Sequence, residues 1–223
     1  MKLVKTKDGS HTLVSNEFGE HYHSINGSIQ EAEHIFINNG LKAISKNKIH
    51  VFEMGFGSGL NTILSYYYAK KQKSKIVYHT IEAYPISIEI ANQLNYNDFI
   101  QEKDFKEIFN KIHTAAWNET QSISPFFKLH KIKSKIEECN LKQTLNNQVD
   151  IVFFDAFAPN AQAHLWEEDI LQKMYEVLKV DSFLITYCAK GVFKRTLKKL
   201  SYEIEPLPGP IGKREITKAV KLA

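Results

Sequence analysis

Cysteine is scarce in this chain: Cys139 and Cys188 are the only two among 223 residues, and they lie far apart. That excludes a disulfide framework and points to a reducing, cytoplasmic setting. His21 and His23 share one side of an extended segment with His34 not far away, yet no third ligand has metal spacing, so no metal is expected. No apolar run approaches the roughly 18 residues of a membrane span. The opening "MKLVKTKDGS" lacks the apolar core and small-residue cleavage site of a signal peptide. No Pro/Gly-rich linker, low-complexity segment or internal repeat splits the chain. One structural domain is expected, with residues 1–45 as an N-terminal extension packed on a core of 46–223, and a monomer.

Charge is present in both signs but unevenly placed. From Lys190 to Ala223 there are nine Lys and Arg against three Glu, whereas the upstream part has slightly more acids than bases. A basic end on a mildly acidic body suits a polyanionic partner, although solvated helix faces with snorkelling lysines give the same composition.

Periodicity organises the rest. Residues 2–6 and 11–15 flank "DGSH", a hairpin turn. "SIQEAEHIFINNGL" (28–41) reads as a helix with Ser28 at its N-cap and Glu31 three residues on. From Ile49 onward short apolar runs alternate with helical patterns. Strands are expected at 49–54, 76–82, 126–132, 149–154, 182–188 and 216–221, and helices at 59–72, 85–96, 98–112, 134–146, 166–179 and 191–200. The segment 113–125 reads as a loop. Such alternation makes an α/β fold with a mostly parallel sheet covered on both faces. Tyr66, Tyr67 and Tyr68 spread around a helix and read as core packing, and "IVFF" (151–154) as a strand buried on both faces.

The chemistry-bearing stretch is "VFEMGFGSGLN" (51–61), with glycines at alternate positions directly after an apolar strand. Glycines there permit unusual backbone angles and close approach of a ligand to the main chain. Leu60 stands where a dinucleotide fingerprint requires its third glycine, and no Gly-Lys-Ser/Thr makes a P-loop. G-x-G-x-G with an acid before it resembles instead motif I of S-adenosylmethionine-dependent methyltransferases, and that resemblance makes Glu53, Gly55, Gly57, Gly59 and Asn61 the candidate elements of such a cofactor site. Glu82, ending "IVYHTIE", is placed to accept the ribose hydroxyls of such a cofactor. "VDIVFFDAFAP" (149–159) delivers Asp155 at a third strand tip, where ligands bind in open α/β sheets. "DAFAP" lacks the double proline and stacking aromatic of the loop that activates a base's exocyclic amine, so a different acceptor is expected.

"EMGFGSGLN" (53–61), "VDIVFFDAFAP" (149–159), "LW" (165–166) and "GKRE" (212–215) together resemble the tRNA 5-methylaminomethyl-2-thiouridine methyltransferase family. "FGEHYHS" (18–24) and "IQEAEHIFI" (29–37) are similar to that family's opening segment. The resemblance implies a Rossmann-like methyltransferase fold, with a mostly parallel seven-stranded sheet, helices on both faces and a short N-terminal hairpin/helix extension. It implies methylation of the 5-aminomethyl group on a wobble uridine in the tRNA anticodon stem-loop. Some members are fused to a FAD-dependent oxidoreductase; no such half is expected in these residues. Carried over by position, Gly55, Gly57 and Gly59 would line the methionine part of the cofactor, Glu82 its ribose and Asp155 the acceptor amine. Tyr22 and Glu31 would fold over the site, beside Phe157 and Pro159. Where the family often has Gly-Asp near the adenine this chain has Lys133-Ser134, which leaves Ser134 or backbone for that role. His164 stands where the family has Asp.

In mechanism, Asp155 is expected to orient the amine and compensate its charge, a carboxylate of ordinary pKa being a poor base for an ammonium. Lys190, Lys194, Arg195, Lys213 and Arg214 are expected to grip tRNA phosphates. Alternatives are an amine methyltransferase acting on a small molecule or protein, aminopropyl transfer on the same fold, and a non-catalytic RNA-binding protein.

Overall fold

The computed structural model describes residues 1–223. A two-stranded hairpin opens the chain, β1 (Lys2–Lys5) against β2 (His11–Val14). Its turn is held by the Asp8 carboxylate, which accepts bonds from the Thr6 hydroxyl and the Ser10 amide. Helix α1 (Ser28–Ala32) follows and widens into a π-helical stretch over Glu33–Asn38. The capping box expected there does not form. Gly27 occupies the N-cap, and the Ser28 hydroxyl donates to the His11 carbonyl of β2 at 3.0 Å. Glu31 reaches beyond the helix and accepts from the Ser24 amide at 2.8 Å.

The core is one sheet of eight strands. In chain order these are β3 (Lys48–Met54), β4 (Lys75–Glu82), β5 (Thr120–Ser124), β6 (Phe127–Lys133), β7 (Val149–Phe154), β8 (Leu178–Thr186), β9 (Tyr202–Pro208) and β10 (Glu215–Lys221). Their order across the sheet is β5-β6-β4-β3-β7-β8-β10-β9. The five from β6 to β8 run parallel, and β5, β10 and β9 pair antiparallel. The expected seven-stranded count is therefore one short. The six strands placed by periodicity omit two of the eight. One of them, β5, lies in the segment read as a loop; Ile123 alone in "TQSIS" is buried, so hydrophobic alternation could not reveal it. Strand β9 was also unforeseen, because Pro206 and Pro208 argue against a strand interior; it sits at an edge, where proline is tolerated.

Helices α2 (Leu60–Gln72) and α4 (Phe105–Thr114) join α1 on one face, while α5 (Leu141–Leu145), α6 (Glu168–Val177) and α7 (Gly191–Lys199) cover the other. Two expected helices shrink. The stretch 85–96 forms only α3 (Ile88–Ala91), and 134–146 only α5. The first is cut by asparagines, which compete with the helical backbone. Asn95 shows how: its side chain accepts from the His11 amide and donates to the Gly9 carbonyl, tying the hairpin to the core. Strand β7 is wholly buried, with Phe153 in one apolar layer and Phe154 in the other. Tyr66 and Tyr67 lie in the core with Tyr68 packed against it. No helix is long and apolar enough to cross a membrane.

From β3 the chain steps outward one way to β4 and β6, and the other way to β7 and β8. Ligands of open α/β sheets bind at such a switch point, outside the carboxyl ends of the strands.

Candidate active site

A cleft of about 830 Å³ opens there, bounded by the ends of β3, β4 and β7 and roofed by residues 15–25 of the N-terminal extension. Its size falls within the range of small-molecule sites.

The glycine turn shapes its floor. A side chain at Gly55 would bring its Cβ to 2.9 Å from the Asp155 carbonyl oxygen, so the turn after β3 and the tip of β7 touch through backbone. At Gly57 a Cβ would meet the Tyr22 ring at 3.1 Å. Gly55 and Gly57 line the cleft; Gly59 does not. Gly59 caps α2 in the left-handed region, φ +74°, with His113 and Phe56 packed against it, so its glycine serves the strand-to-helix turn.

Three carboxylates of the sequence reading take different positions. Glu82, at the end of β4, accepts from the Gly57 amide at 3.0 Å and the Tyr84 amide at 2.9 Å, fixing it on the wall. Burial pushes its carboxyl upward, against those two amides. Asp155 accepts from the Asn61 side-chain amide at 2.8 Å. Burial, with the Glu31 charge adding, raises its carboxyl to about 7, while Asn61 and the Lys213 ammonium pull the other way. The expectation of an ordinary carboxylate is thus corrected: Asp155 changes protonation near neutral pH. Glu53 lies fully buried beneath the turn, off the wall of the cleft, with Thr62 donating to it at 3.3 Å. Burial raises it to about 8.

Tyr22 and Phe157 form an edge-to-face pair, centroids 5.0 Å apart, with Phe18 against Phe157 at 5.4 Å. Both residues of that pair line the cleft, as do Glu31 and Ser134, whereas Pro159 stands off it. The Trp166 indole donates to the Phe157 carbonyl at 2.8 Å and anchors that loop. The five basic candidates separate. Arg195 and Arg214 are exposed. Lys190 is exposed but donates to Asn160, and Lys194 pairs with Glu215 at 2.7 Å. Lys213 turns inward, pairs with Glu31 and lies 4.2 Å from the centre of the Tyr187 ring.

Sequence reasoning missed Tyr187 and the inward course of Lys213. Tyr187 directly follows β8; ending that strand at Thr186 instead of 188 would have put it at the same edge as Asp155. The sequence marked Lys213 in "GKRE" but as a phosphate contact; its inward direction is set by the turn joining β9 to β10, where its amide bonds the Pro210 carbonyl at 2.9 Å.

A glycine turn after the first central parallel strand, an acid at the tip of the second and a cleft at the switch point define the class of Rossmann-like methyltransferases. Residues 101–222 match the model of a family of S-adenosyl-L-methionine-dependent methyltransferases, and the chain belongs to that family. Among curated relatives, the tRNA 5-methylaminomethyl-2-thiouridine biosynthesis bifunctional protein MnmC of Leptospira interrogans is 24% identical over 216 residues, covering 92% of this chain and 33% of the relative. The protein of the same name from Cupriavidus metallidurans is 23% identical over 232 residues, covering 97% and 33%. The chain thus spans about a third of the length of these relatives. Among solved structures, MNMC2 from Aquifex aeolicus superposes with a TM-score of 0.74 at 20% identity, over all of this chain and 70% of that one. The citrinin polyketide synthase CMeT domain superposes at 0.52 and 14% identity, over 87% and 52%. These two likenesses establish the fold.

The residues present fit S-adenosylmethionine. The Asn61 side-chain carbonyl is buried with no partner, the floor at Gly55 and Gly57 is bare backbone, and Glu82 is held on the wall by two amides.

Proposed function

We propose that the chain methylates the 5-aminomethyl nitrogen of a wobble uridine in tRNA. The observation that carries this reading is one aromatic-walled cleft lined by both Asp155 and Glu31, in which Asp155 feels the charge of Glu31 and Glu31 is itself paired with Lys213. A buried carboxylate and aromatic faces together suit an alkylammonium, which must bind, lose a proton and present its lone pair. They do not suit the weakly basic exocyclic amine of a nucleobase. The two MnmC relatives carry that modification in their names, which supports the same acceptor here.

Bound S-adenosylmethionine supplies an electrophilic methyl group. Glu82 and the turn at Gly55 and Gly57 would hold the cofactor, with the Asn61 carbonyl facing it. Asn61 would thereby tie cofactor to acceptor, because its amide also fixes Asp155. Asp155 Oδ accepts a proton from the acceptor ammonium, a transfer matched to a carboxyl near 7. Tyr22, Phe18 and Phe157 exclude water and hold a base turned out of the anticodon loop. Arg195 and Arg214 meet the phosphates, and Ser134 on the rim approaches the adenine. The nearest competitor is a methyltransferase of small-molecule or protein amines, which shares the cleft but has no use for the exposed cations.

The test is incubation with S-adenosylmethionine and tRNA carrying 5-aminomethyluridine, followed by nucleoside mass spectrometry. The expected product is the 5-methylaminomethyl nucleoside. Methylation of free amines or proteins with the tRNA left unchanged overturns this reading.

A further inference from the structure

Lys213 and Lys135 are the lysines on the wall of an acidic cleft, and of the two Lys213 is the one turned inward onto a carboxylate. The β9–β10 turn closes behind it, with the Gly209 amide on the Arg214 carbonyl at 3.2 Å and the Lys213 amide on the Pro210 carbonyl at 2.9 Å. Its ammonium meets Glu31, whose side chain is only 10% exposed and whose second oxygen is taken by the Ser24 amide. The Tyr187 ring lies against the same ammonium at 4.2 Å, and the Tyr187 hydroxyl is spent on the Ala156 carbonyl at 2.9 Å, next to Asp155 in the chain. A cation held by a buried carboxylate, an aromatic face and a closed turn is a fixed part of the site.

Charge counting at this spot says what it does. Without Lys213, Glu31 and Asp155 would both face the incoming amine as carboxylates. Two negative charges bind an alkylammonium well and keep it protonated, and a protonated nitrogen has no lone pair to give. With Lys213 neutralising Glu31, one carboxylate remains, enough to take one proton and no more. We propose that Lys213 is a positioning residue of the reaction, setting the charge of the acceptor pocket so that the amine is held neutral while Asp155 receives its proton. In that step the ammonium N–H bond breaks and its electron pair stays on nitrogen. An O–H bond forms on Asp155. The nitrogen pair then forms the N–CH3 bond as the donor's S–CH3 bond breaks. This inference rests on the alkylamine reading of the site.

The other groups facing Lys213 do not compete for the role. Burial, with Lys213 contributing, depresses His23 to about 4, which leaves it neutral at assay pH. Burial raises the Tyr187 phenol and the Cys188 thiol, so neither ionises first. Asp155 itself titrates in the window and must be removed from the measurement.

The experiment is therefore a pH series of single-turnover methyl transfer to tRNA bearing 5-aminomethyluridine in the Asp155→Asn background. Lys213 is compared there with Lys213→Met, Lys213→Gln and Lys213→Arg. With Asp155 silenced, the acid limb reports the ionisation of the acceptor. Both neutral variants are expected to move that limb upward by about one to three pH units, a tenfold or greater loss at any pH on the limb. KM for the tRNA should stay level or fall, since the freed Glu31 clamps the ammonium. Lys213→Arg should keep the original limb. Calorimetric binding of S-adenosylmethionine checks that every variant is folded. Methyl transfer with an unmoved limb in both neutral variants overturns the role of Lys213 alone. No transfer to this tRNA by the unmodified protein overturns the amine reading, and this inference with it.

Discussion

Asp155 shows how one side chain is tuned by position. It stands one residue past a strand buried on both faces, so its carboxylate is poorly hydrated and takes up a proton more readily than a surface acid. The Asn61 amide partly offsets that cost and fixes the direction of Oδ2. Replacing Asp155 with Asn keeps shape and removes the proposed proton acceptor. Turnover should fall by about 10²–10⁴ while calorimetry gives nearly unchanged S-adenosylmethionine affinity. The pH profile supplies the second check. Asp155 accepts a proton only when ionised, so its share of the activity rises with pH through about 7. Asn removes that share and leaves only the ionisation of the acceptor. An Asn variant as active as the unmodified protein would take Asp155 out of the reacting centre.

Between elements, the sheet edge decides which cations reach a partner. Helix α7 and the β9–β10 turn were read together as one basic surface, but the fold splits it. Lys194 is committed to Glu215 and Lys213 to Glu31, while Arg195 and Arg214 stay exposed. Charge reversal at Arg195 and Arg214 should therefore weaken tRNA binding and lower the salt dependence by about one counterion per lost contact, with cofactor affinity intact. Filter binding across a salt series measures both; an unchanged slope puts the tRNA on another face. What the sequence made legible at this scale follows from the strength of local signals. The glycine turn, Glu82 and Asp155 each sit at the end of a strongly apolar strand, so their convergence at one edge could be read directly. The roof was legible only through the family resemblance, which put Tyr22 and Glu31 over the site, and not from local pattern. Phe18, Tyr22 and Glu31 come from a segment whose place over the cleft depends on long-range ties, Asn95 to the hairpin and Lys213 to Glu31. Strand β5, with one buried side chain, and β9, with two prolines, gave no pattern that could be told from loop.

Over the whole molecule, the buried titratable groups pull stability in opposite directions with pH. Burial depresses His23, His79 and His113 to about 4, so the folded state binds fewer protons than the unfolded chain between about 4 and 6.5. Stability owed to them is present above that window and is lost as pH falls through it. Glu53 and Asp155 have the opposite sign: raised to about 8 and about 7, they favour folding when protonated, and that contribution is lost as pH rises. From about pH 7 to 8 Glu53 dominates, since the histidines are already neutral in both states and Asp155, half ionised at about 7, has less left to lose. Lys131, fully buried with its ammonium on the His113 carbonyl and depressed by burial to about 8, reverses the trend only above that point. Thermal stability should pass through a maximum near neutral pH and decline toward pH 8 by about 1 kcal/mol, or roughly 2–4 °C for a chain of this size. Glu53→Gln removes the proton that is lost while keeping the side chain's shape and the acceptor for the Thr62 hydroxyl. Its melting temperature should hold level from pH 7 to 8 where that of the unmodified protein drops. Scanning calorimetry of the two proteins across this interval decides it: parallel declines would mean that Glu53 is already ionised in the fold, and that the floor beneath the glycine turn carries a buried negative charge under the methyl donor.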